Sequence, residues 1–394
     1  MSTRLSSSWD ETLEAALAQR EGAGLLRTLR PFARAGPRIG TEDGRELINL
    51  SSNDYLGLAS HPALAEAAAR AARERGTGAT ASRLIVGDDP AYQALEERIA
   101  EHKGTEAALV LGSGFLANVG VIPALAGAED AIFSDELNHA SIVDGCRLAR
   151  ATVHRYRHRD LEHMEELLRT SPARRKLIVT ETVFSMDGDT APLAELADLK
   201  ERHGAALIVD EAHAAGVFGP HGEGLAHELG VADAVDLHLG TFSKAFGSYG
   251  AYVAGSSAWI RYLQNACRTL IYTTALPPPV IGAVDAALTL VREANEARQA
   301  LRGKAERFRA GLRDLGLDTC GSKTQIVPVL VGEAEAALAL SHALEERGVL
   351  GVAIRPPTVP PGTARIRFSL TAAHEDADVE RALDAVGSAW SDRR

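Results

Sequence analysis

The chain has 394 residues, of which 45% are hydrophobic and 24% charged. That is a globular balance with room for about two domains, and it excludes a disordered, collagen-like or coiled-coil chain. No apolar run of about 18 residues offers a membrane span. The 42 basic and 53 acidic residues leave a net charge of −11, which argues against a nucleic-acid binder. The first residues, MSTRLSSSWDETLEAALAQR, carry charge and no apolar signal core, so a cytoplasmic location is expected. Cys146, Cys267 and Cys320 are far apart and form no C-x-x-C pair. They predict a reducing compartment, with neither a disulfide framework nor a metal centre.

Apolar residues at helical spacing over 12–30 predict a helical arm within 1–45, stopped by Pro31 and Pro37. Short apolar runs then alternate with amphipathic stretches. Strands are predicted over 107–113, 131–135, 151–157, 176–184, 206–213, 237–243 and 251–256, with helices at 90–104, 139–150 and 192–204. This alternation predicts an α/β fold, a mostly parallel sheet covered on both faces, in a large domain over 46–285. Ligands of such sheets sit beyond the carboxyl ends of the strands. After LPPPV (276–280) the texture changes. A long Arg- and Glu-rich helical pattern covers about 281–313, followed by strand 325–332, helix 335–348, strand 364–374 and helix 376–390. These make a smaller α+β domain over 286–394.

Only six of the basic residues are lysines: Lys103, Lys176, Lys200, Lys244, Lys304 and Lys323. Five lie in charged helical or loop contexts and read as solvated surface charges. Lys244 instead follows a predicted strand among small and hydroxyl residues, in HLGTFSKAFGSYG (238–250). A free lysine is neutral in only about one molecule in 2,500 at pH 7. Making it half neutral requires a shift worth roughly 4.6 kcal/mol, which burial, a nearby cation or capture as a Schiff base can supply.

Asp210 closes the predicted strand in LIVDEAHAAGVFG (207–219), with His213 three positions on. Such an Asp can be a metal ligand, a helix cap or the partner of a cofactor's ring nitrogen. Together with a lysine at a neighbouring strand end, it is one of the two groups pyridoxal phosphate requires. LVLGSGFLANVGVI (109–122) runs from a strand through Gly114 and Phe115 into a helix whose bare amides suit a phosphate. Its rivals are a plain tight turn and a dinucleotide fingerprint, although the glycine spacing is not G-x-G-x-x-G. His139 follows a strand and opens a helix, so it is either a polar helix start or an aromatic lid on a planar cofactor. Ser185 enters a turn that could meet the same cofactor.

Taken together, SSNDYLGL (51–58), NHASIVDG (138–145), ETVFSMDGD (181–189), VDEAHAAGVFG (209–219) and TFSKAFGSYG (241–250) resemble the α-oxoamine synthases. The resemblance spans about Leu25 to His374. It implies a fold-type-I pyridoxal-phosphate transferase that joins an amino acid to an acyl thioester and releases carbon dioxide. It also implies a homodimer with shared active sites. Carried over residue by residue, it gives Lys244 the Schiff base and the α-proton, Asp210 the ring nitrogen and His213 the ring's phenolic oxygen. His139 would stack on the ring, and Ser185 would touch the cofactor. Gly114, Phe115 and Thr241 would hold its phosphate, helped by Thr273 and Thr274 from the partner. Asn53 and Arg355 would hold the amino-acid carboxylate, Thr358 would line the substrate channel and Arg27 would meet the acyl chain. The segment AIRPPTVPPGTARIRFSLTAAH (353–374) is most similar to the branch that uses L-alanine and a pimeloyl thioester. Branches that use glycine or serine would keep the same lysine and aspartate. A nicotinamide oxidoreductase and a non-catalytic subunit are the competing classes, and the presence of Lys244 counts against the second.

Overall fold

Seven strands form the central sheet of this computed structural model, which describes residues 8–393. From edge to edge they are Ala107–Leu111, Ala251–Gly255, Leu237–Thr241, Ala206–Asp210, Arg175–Glu181, Asp130–Asp135 and Thr152–Tyr156. Ala251–Gly255 runs antiparallel to both of its neighbours, and the remaining pairs are parallel. Six strands therefore point the same way, and their carboxyl ends share one edge of the sheet.

The apolar runs form strands because each face of the sheet has its own core. Leu207 and Val209 enter one cluster with Phe133, Ile178 and Tyr252. Ile208, between them, enters the other with Ile132, Val179 and Leu239. Side chains alternate faces along a strand, so a sheet buried on both sides needs a continuous apolar run. Each fully buried Leu, Ile or Val contributes about 1.5–3 kcal/mol. Helices Gly114–Leu125 and Ala140–Leu148 cover one face and touch at Gly145. A Cβ on Gly145 would lie 2.6 Å from the Asn118 carbonyl oxygen, so only glycine permits this approach.

Most of the predicted strands end slightly early in the structure, whereas Asp130–Asp135 ends where expected. The run 206–213, for example, stops at Asp210 because residues 211–213 turn. The arm expected to be helical over 12–30 is helical only over Ser8–Gly22. Gly24, at φ 64°, stops it well before Pro31. The 281–313 pattern is two helices, Pro278–Glu293 and Asn295–Asp314, broken at Ala294. Helix Pro62–Arg75, which starts on a proline, was not anticipated by the sequence pattern.

Strands Ile326–Gly332, Ala364–Ser369 and Val352–Ile354 make a small antiparallel sheet. Ala33–Ala35, Arg38–Gly40 and Glu46–Asn49 form a further sheet with Val349–Leu350, so the two ends of the chain are sewn together. At two to four residues these strands are too short to show a period in the sequence. Among the described residues, no helix is long and apolar enough to cross a membrane.

Candidate active site

The carboxyl edge of the central sheet gathers most of the singled-out residues. Asp210 ends one strand, Thr241 the next, and Glu181 the strand on the other side. Asp210 is 6% exposed. Its Oδ2 accepts from Asn118 Nδ2 at 2.8 Å and its Oδ1 from the Ala212 amide at 2.9 Å. Asn118 stands on the helix fixed by the Gly145 approach, so that packing also aims the carboxylate.

Lys244 is half-buried, and its Nζ lies 2.8 Å from His213 Nε2. Burial lowers the lysine's pKa to about 8, while Asp210 and Glu181 oppose the shift. Burial, with Lys244 and Arg367 nearby, pushes His213 well below its usual value, so the imidazole is neutral. Its Nδ1 lies 2.6 Å from Tyr55 Oη, and that hydroxyl donates to Asn53 Oδ1 at 3.1 Å. The network therefore assigns the imidazole proton to Nδ1 and leaves Nε2 to accept from the lysine.

The chain of bonds continues to Arg367, whose Nη1 and Nη2 donate to Asn53 Oδ1 at 3.2 and 3.3 Å. Its Nε donates to the Ser185 carbonyl at 2.5 Å, and Nη1 also reaches Ser369 Oγ at 2.8 Å. Arg367 is 7% exposed. The sequence reading did not single it out. The available signal was ARIRFS (364–369), in which two arginines share one face of an otherwise apolar strand. Glu181 was missed as well. It is buried, and its Oε1 accepts the His139 amide at 2.6 Å. Burial, reinforced by the Asp210 charge, raises its pKa above the usual carboxylate range.

His139 caps helix Ala140–Leu148, with Nδ1 2.8 Å from Ser141 Oγ. Its ring is otherwise exposed. Gly114 and Phe115 open helix Gly114–Leu125 behind the Ser113 cap. A Cβ on Gly114 would meet Thr241 Cβ at 3.6 Å, so the helix start and Thr241 are adjacent. Ser185 is buried behind Arg367. Thr273 and Thr274 line a cleft with Gly112, and Thr274 bridges to Ser82.

Three of the singled-out residues lie elsewhere. Arg27, Arg355 and Thr358 line a separate cleft of about 610 Å³, with Leu26, Leu29 and Ile354. Arg355 Nη1 donates to the Gly24 carbonyl and Arg27 Nη2 to the Pro356 carbonyl at 3.4 Å. Burial and the Arg27 charge lower the proton affinity of Arg355. Asn53 thus sits beside Arg367, while Arg355 sits beside Arg27.

The lysine reading needs correction at two positions: the Lys200 side chain is only 12% exposed and lies 3.1 Å from Asp236 Oδ2, and Lys103 departs further. Lys103, expected to be a solvated surface charge, is 1% exposed. Its Nζ meets Glu211 Oε2 and the Glu223 carbonyl, both at 2.5 Å. Burial opposes ionisation of Glu211, but Lys103 and His238 hold its carboxyl below the usual range. A charged helical context does not reveal the residue facing inward at the helix's last turn.

These residues fit pyridoxal phosphate. An amine with lowered proton affinity, a carboxylate fixed at a strand end and a helix start beside Thr241 lie together at the carboxyl edge of the central sheet. The profile of class I and II aminotransferases matches residues 45–386. A Bacillus cereus (strain G9842) protein provisionally named 8-amino-7-oxononanoate synthase is 50% identical over 97% of both chains. A Geobacillus kaustophilus (strain HTA426) protein of the same provisional name is 53% identical over 92% of this chain and 93% of its own. Among solved structures, serine palmitoyltransferase from S. paucimobilis with a bound PLP–myriocin adduct superposes with a TM-score of 0.92, at 31% identity over 99% of both chains. The 8-amino-7-oxononanoate synthase of Francisella tularensis gives 0.77, at 29% identity over 88% of this chain and 98% of its own. The chain belongs to the class I and II aminotransferase family of fold-type-I pyridoxal-phosphate enzymes, and within it to the α-oxoamine synthases.

Proposed function

We propose that the protein is an 8-amino-7-oxononanoate synthase. It condenses L-alanine with a pimeloyl thioester, releasing carbon dioxide and the thiol, as a step of biotin synthesis. The observation that carries this reading is the cleft of Arg27, Arg355 and Thr358. A pimeloyl chain ends in a free carboxylate. Two neighbouring guanidiniums, Arg27 and Arg355, that donate to backbone carbonyls beside Leu26 and Leu29 suit such a chain better than a plain fatty one. The provisional names of relatives sharing half of the sequence support the same choice.

Bound at the strand ends, pyridoxal phosphate supplies an electron sink for the carbon that loses its proton. The protein does the rest. Lys244 holds the cofactor covalently and then takes the α-proton, a task suited to an amine with a pKa near 8. Asp210 would keep the ring nitrogen's proton in place, His213 would meet the phenolic oxygen and His139 would cover the ring. The Gly114 and Phe115 amides and Thr241 would hold the phosphate side, and Ser185 would contact the cofactor. Arg367, steadied by Asn53 and the Ser185 carbonyl, grips the amino-acid carboxylate until that group leaves. Arg355 is thereby freed for the acyl side.

We also propose a homodimer in which Thr273 and Thr274 complete the partner's phosphate site. Exposed Leu84, Ile85 and Val86, next to the Ser82–Thr274 bridge, make an apolar face that a second copy would cover.

The likeness to serine palmitoyltransferase makes serine with a long acyl chain the competing pair. The test is a matrix of specificity constants for alanine, glycine and serine against pimeloyl and palmitoyl thioesters. The highest value is expected for alanine with pimeloyl. A maximum at serine with palmitoyl would overturn the assignment and leave the family membership intact.

A further inference from the structure

Residues 185–190 form a crosspiece between the central sheet and the C-terminal strands. At its start, the Ser185 carbonyl receives Arg367 Nε. In its middle, Asp187 pairs with Arg365. Gly188 stands at φ 68°, where a Cβ would fall 2.1 Å from the Ile326 carbonyl oxygen. Its own carbonyl accepts from Thr324 Oγ1 at 2.9 Å and the Lys323 amide at 3.0 Å.

At the far end, buried Asp189 is gripped on Oδ2 by His158 Nε2 at 2.9 Å and Arg159 Nη1 at 3.0 Å. The other imidazole nitrogen, Nδ1, meets Asp135 Oδ1 at 2.9 Å. An imidazole bonded through both nitrogens to carboxylates carries both protons. Phe184 packs edge-on against the ring, with centroids 4.4 Å apart, and fixes its plane. Arg159 adopts φ 58°, the left-handed region, while its amide donates to Asp135 Oδ2 at 3.0 Å. A non-glycine residue stays in that region only where its neighbours over-determine it.

We propose that His158, as a cation between Asp135 and Asp189, is a positioning residue for Arg367. It fixes the crosspiece whose Ser185 carbonyl aims the guanidinium at the amino acid's carboxylate. The proposal rests on Arg367 being the carboxylate anchor and is independent of which acyl donor is used.

Burial disfavours the His158 charge, but the bonds to Asp135 and Asp189 win and raise its pKa to about 9. The groups facing it are Asp135 from the sheet, Asp189 from the crosspiece, and Glu136 and Arg159 beside it, with Glu136 Oε1 accepting the His158 amide. A raised pKa means that the clamp is complete at neutral pH and is lost as pH rises through about 9.

The experiment uses the holoenzyme and its His158→Gln variant. Alanine dissociation constants are read from cofactor absorbance across neutral to alkaline pH, without any acyl donor. The ratio of variant to wild type cancels the titrations of alanine's amine and of Lys244. About tenfold weaker alanine binding is expected at neutral pH, with the ratio falling towards one above about pH 9 and cofactor affinity unchanged. A ratio near one throughout, or one constant with pH, would overturn the proposal. Histidine NMR of the wild-type protein gives a second reading, because a His158 ring that is neutral below pH 8 contradicts it. Arg367→Lys separates the two layers. If it leaves alanine binding unchanged, the anchor and the proposal fall together. If it weakens binding while His158→Gln does not, only the positioning role falls.

Discussion

The floor of the site and the arginine cleft are built on different principles. On the floor, Lys244, His213, Tyr55, Asn53 and Arg367 form one continuous run of hydrogen bonds, and Asp210 is fixed by Asn118 and a backbone amide. Lys244, His213 and Asp210 stand on or just past strand ends of the central sheet, Arg367 stands within strand Ala364–Ser369 of the small sheet, and Tyr55 and Asn53 are held against them. In the cleft, Arg27 and Arg355 donate to backbone carbonyls, Arg30 is held by the Glu345 carboxylate, and Arg27 is exposed. Such a contrast separates a preorganised reaction centre, where small displacements are costly, from an adaptable mouth that distinguishes substrates. A family can keep the floor and vary the mouth, which fits a close superposition on serine palmitoyltransferase at 31% identity.

The contrast can be broken from either side. Lys244→Ala should have the largest effect, because the covalent anchor and the base go together. Turnover should fall by about 10⁴ or more, while the protein still takes up pyridoxal phosphate non-covalently, as read by absorbance after gel filtration. Asp210→Asn keeps the size and one hydrogen bond but loses the charge facing the ring nitrogen. A pKa change of about 1–3 units there corresponds to about 10- to 1,000-fold in turnover, measured at saturating alanine. Arg367→Lys removes the planar fork, so KM for alanine should rise by about tenfold or more while kcat changes less. Arg27→Ala should be mildest. Its guanidinium is exposed, and KM for the pimeloyl thioester should rise about two- to fivefold, with alanine binding untouched.

A pH experiment sharpens the floor side alone. With the Lys244 pKa lowered to about 8, the neutral amine gains population as pH rises through that value. The rate at which the apoprotein captures pyridoxal phosphate should therefore climb through about pH 8 and then level off. Stopped-flow absorbance reads this directly, and a rise delayed to the ordinary lysine range would show that burial does not lower the amine's proton affinity.

The same contrast explains what the sequence could reveal. Asp210 and Lys244 were legible because strand ends are marked by where apolar runs stop, and parallel sheets put ligands there. Glu181 ends such a run too, but one buried carboxylate beside another is meaningful only once both are seen to share a space. Arg367 was hidden because an arginine in a strand reads as an exposed edge, and its partners, Asn53 and Ser185, lie 314 and 182 residues away. Lys103 was misread for the related reason that its partner Glu211 is 108 residues distant. The strands over 33–49 are three or four residues long and, although they pair locally, too short to show a period, while the pairing of Glu46–Asn49 with Val349–Leu350 joins segments about 300 residues apart that no local window contains.

In the proposed division of labour, the floor carries out the proton chemistry by itself and the cleft only chooses the acyl partner. The most direct test is exchange of alanine's α-proton into D₂O, followed by proton NMR with no acyl donor present. Wild type and an Arg27→Ala/Thr358→Ala variant should exchange at the same rate, while only the variant shows a raised KM for the pimeloyl thioester. Loss of exchange in the cleft variant, or exchange that persists in Lys244→Ala, would contradict the account.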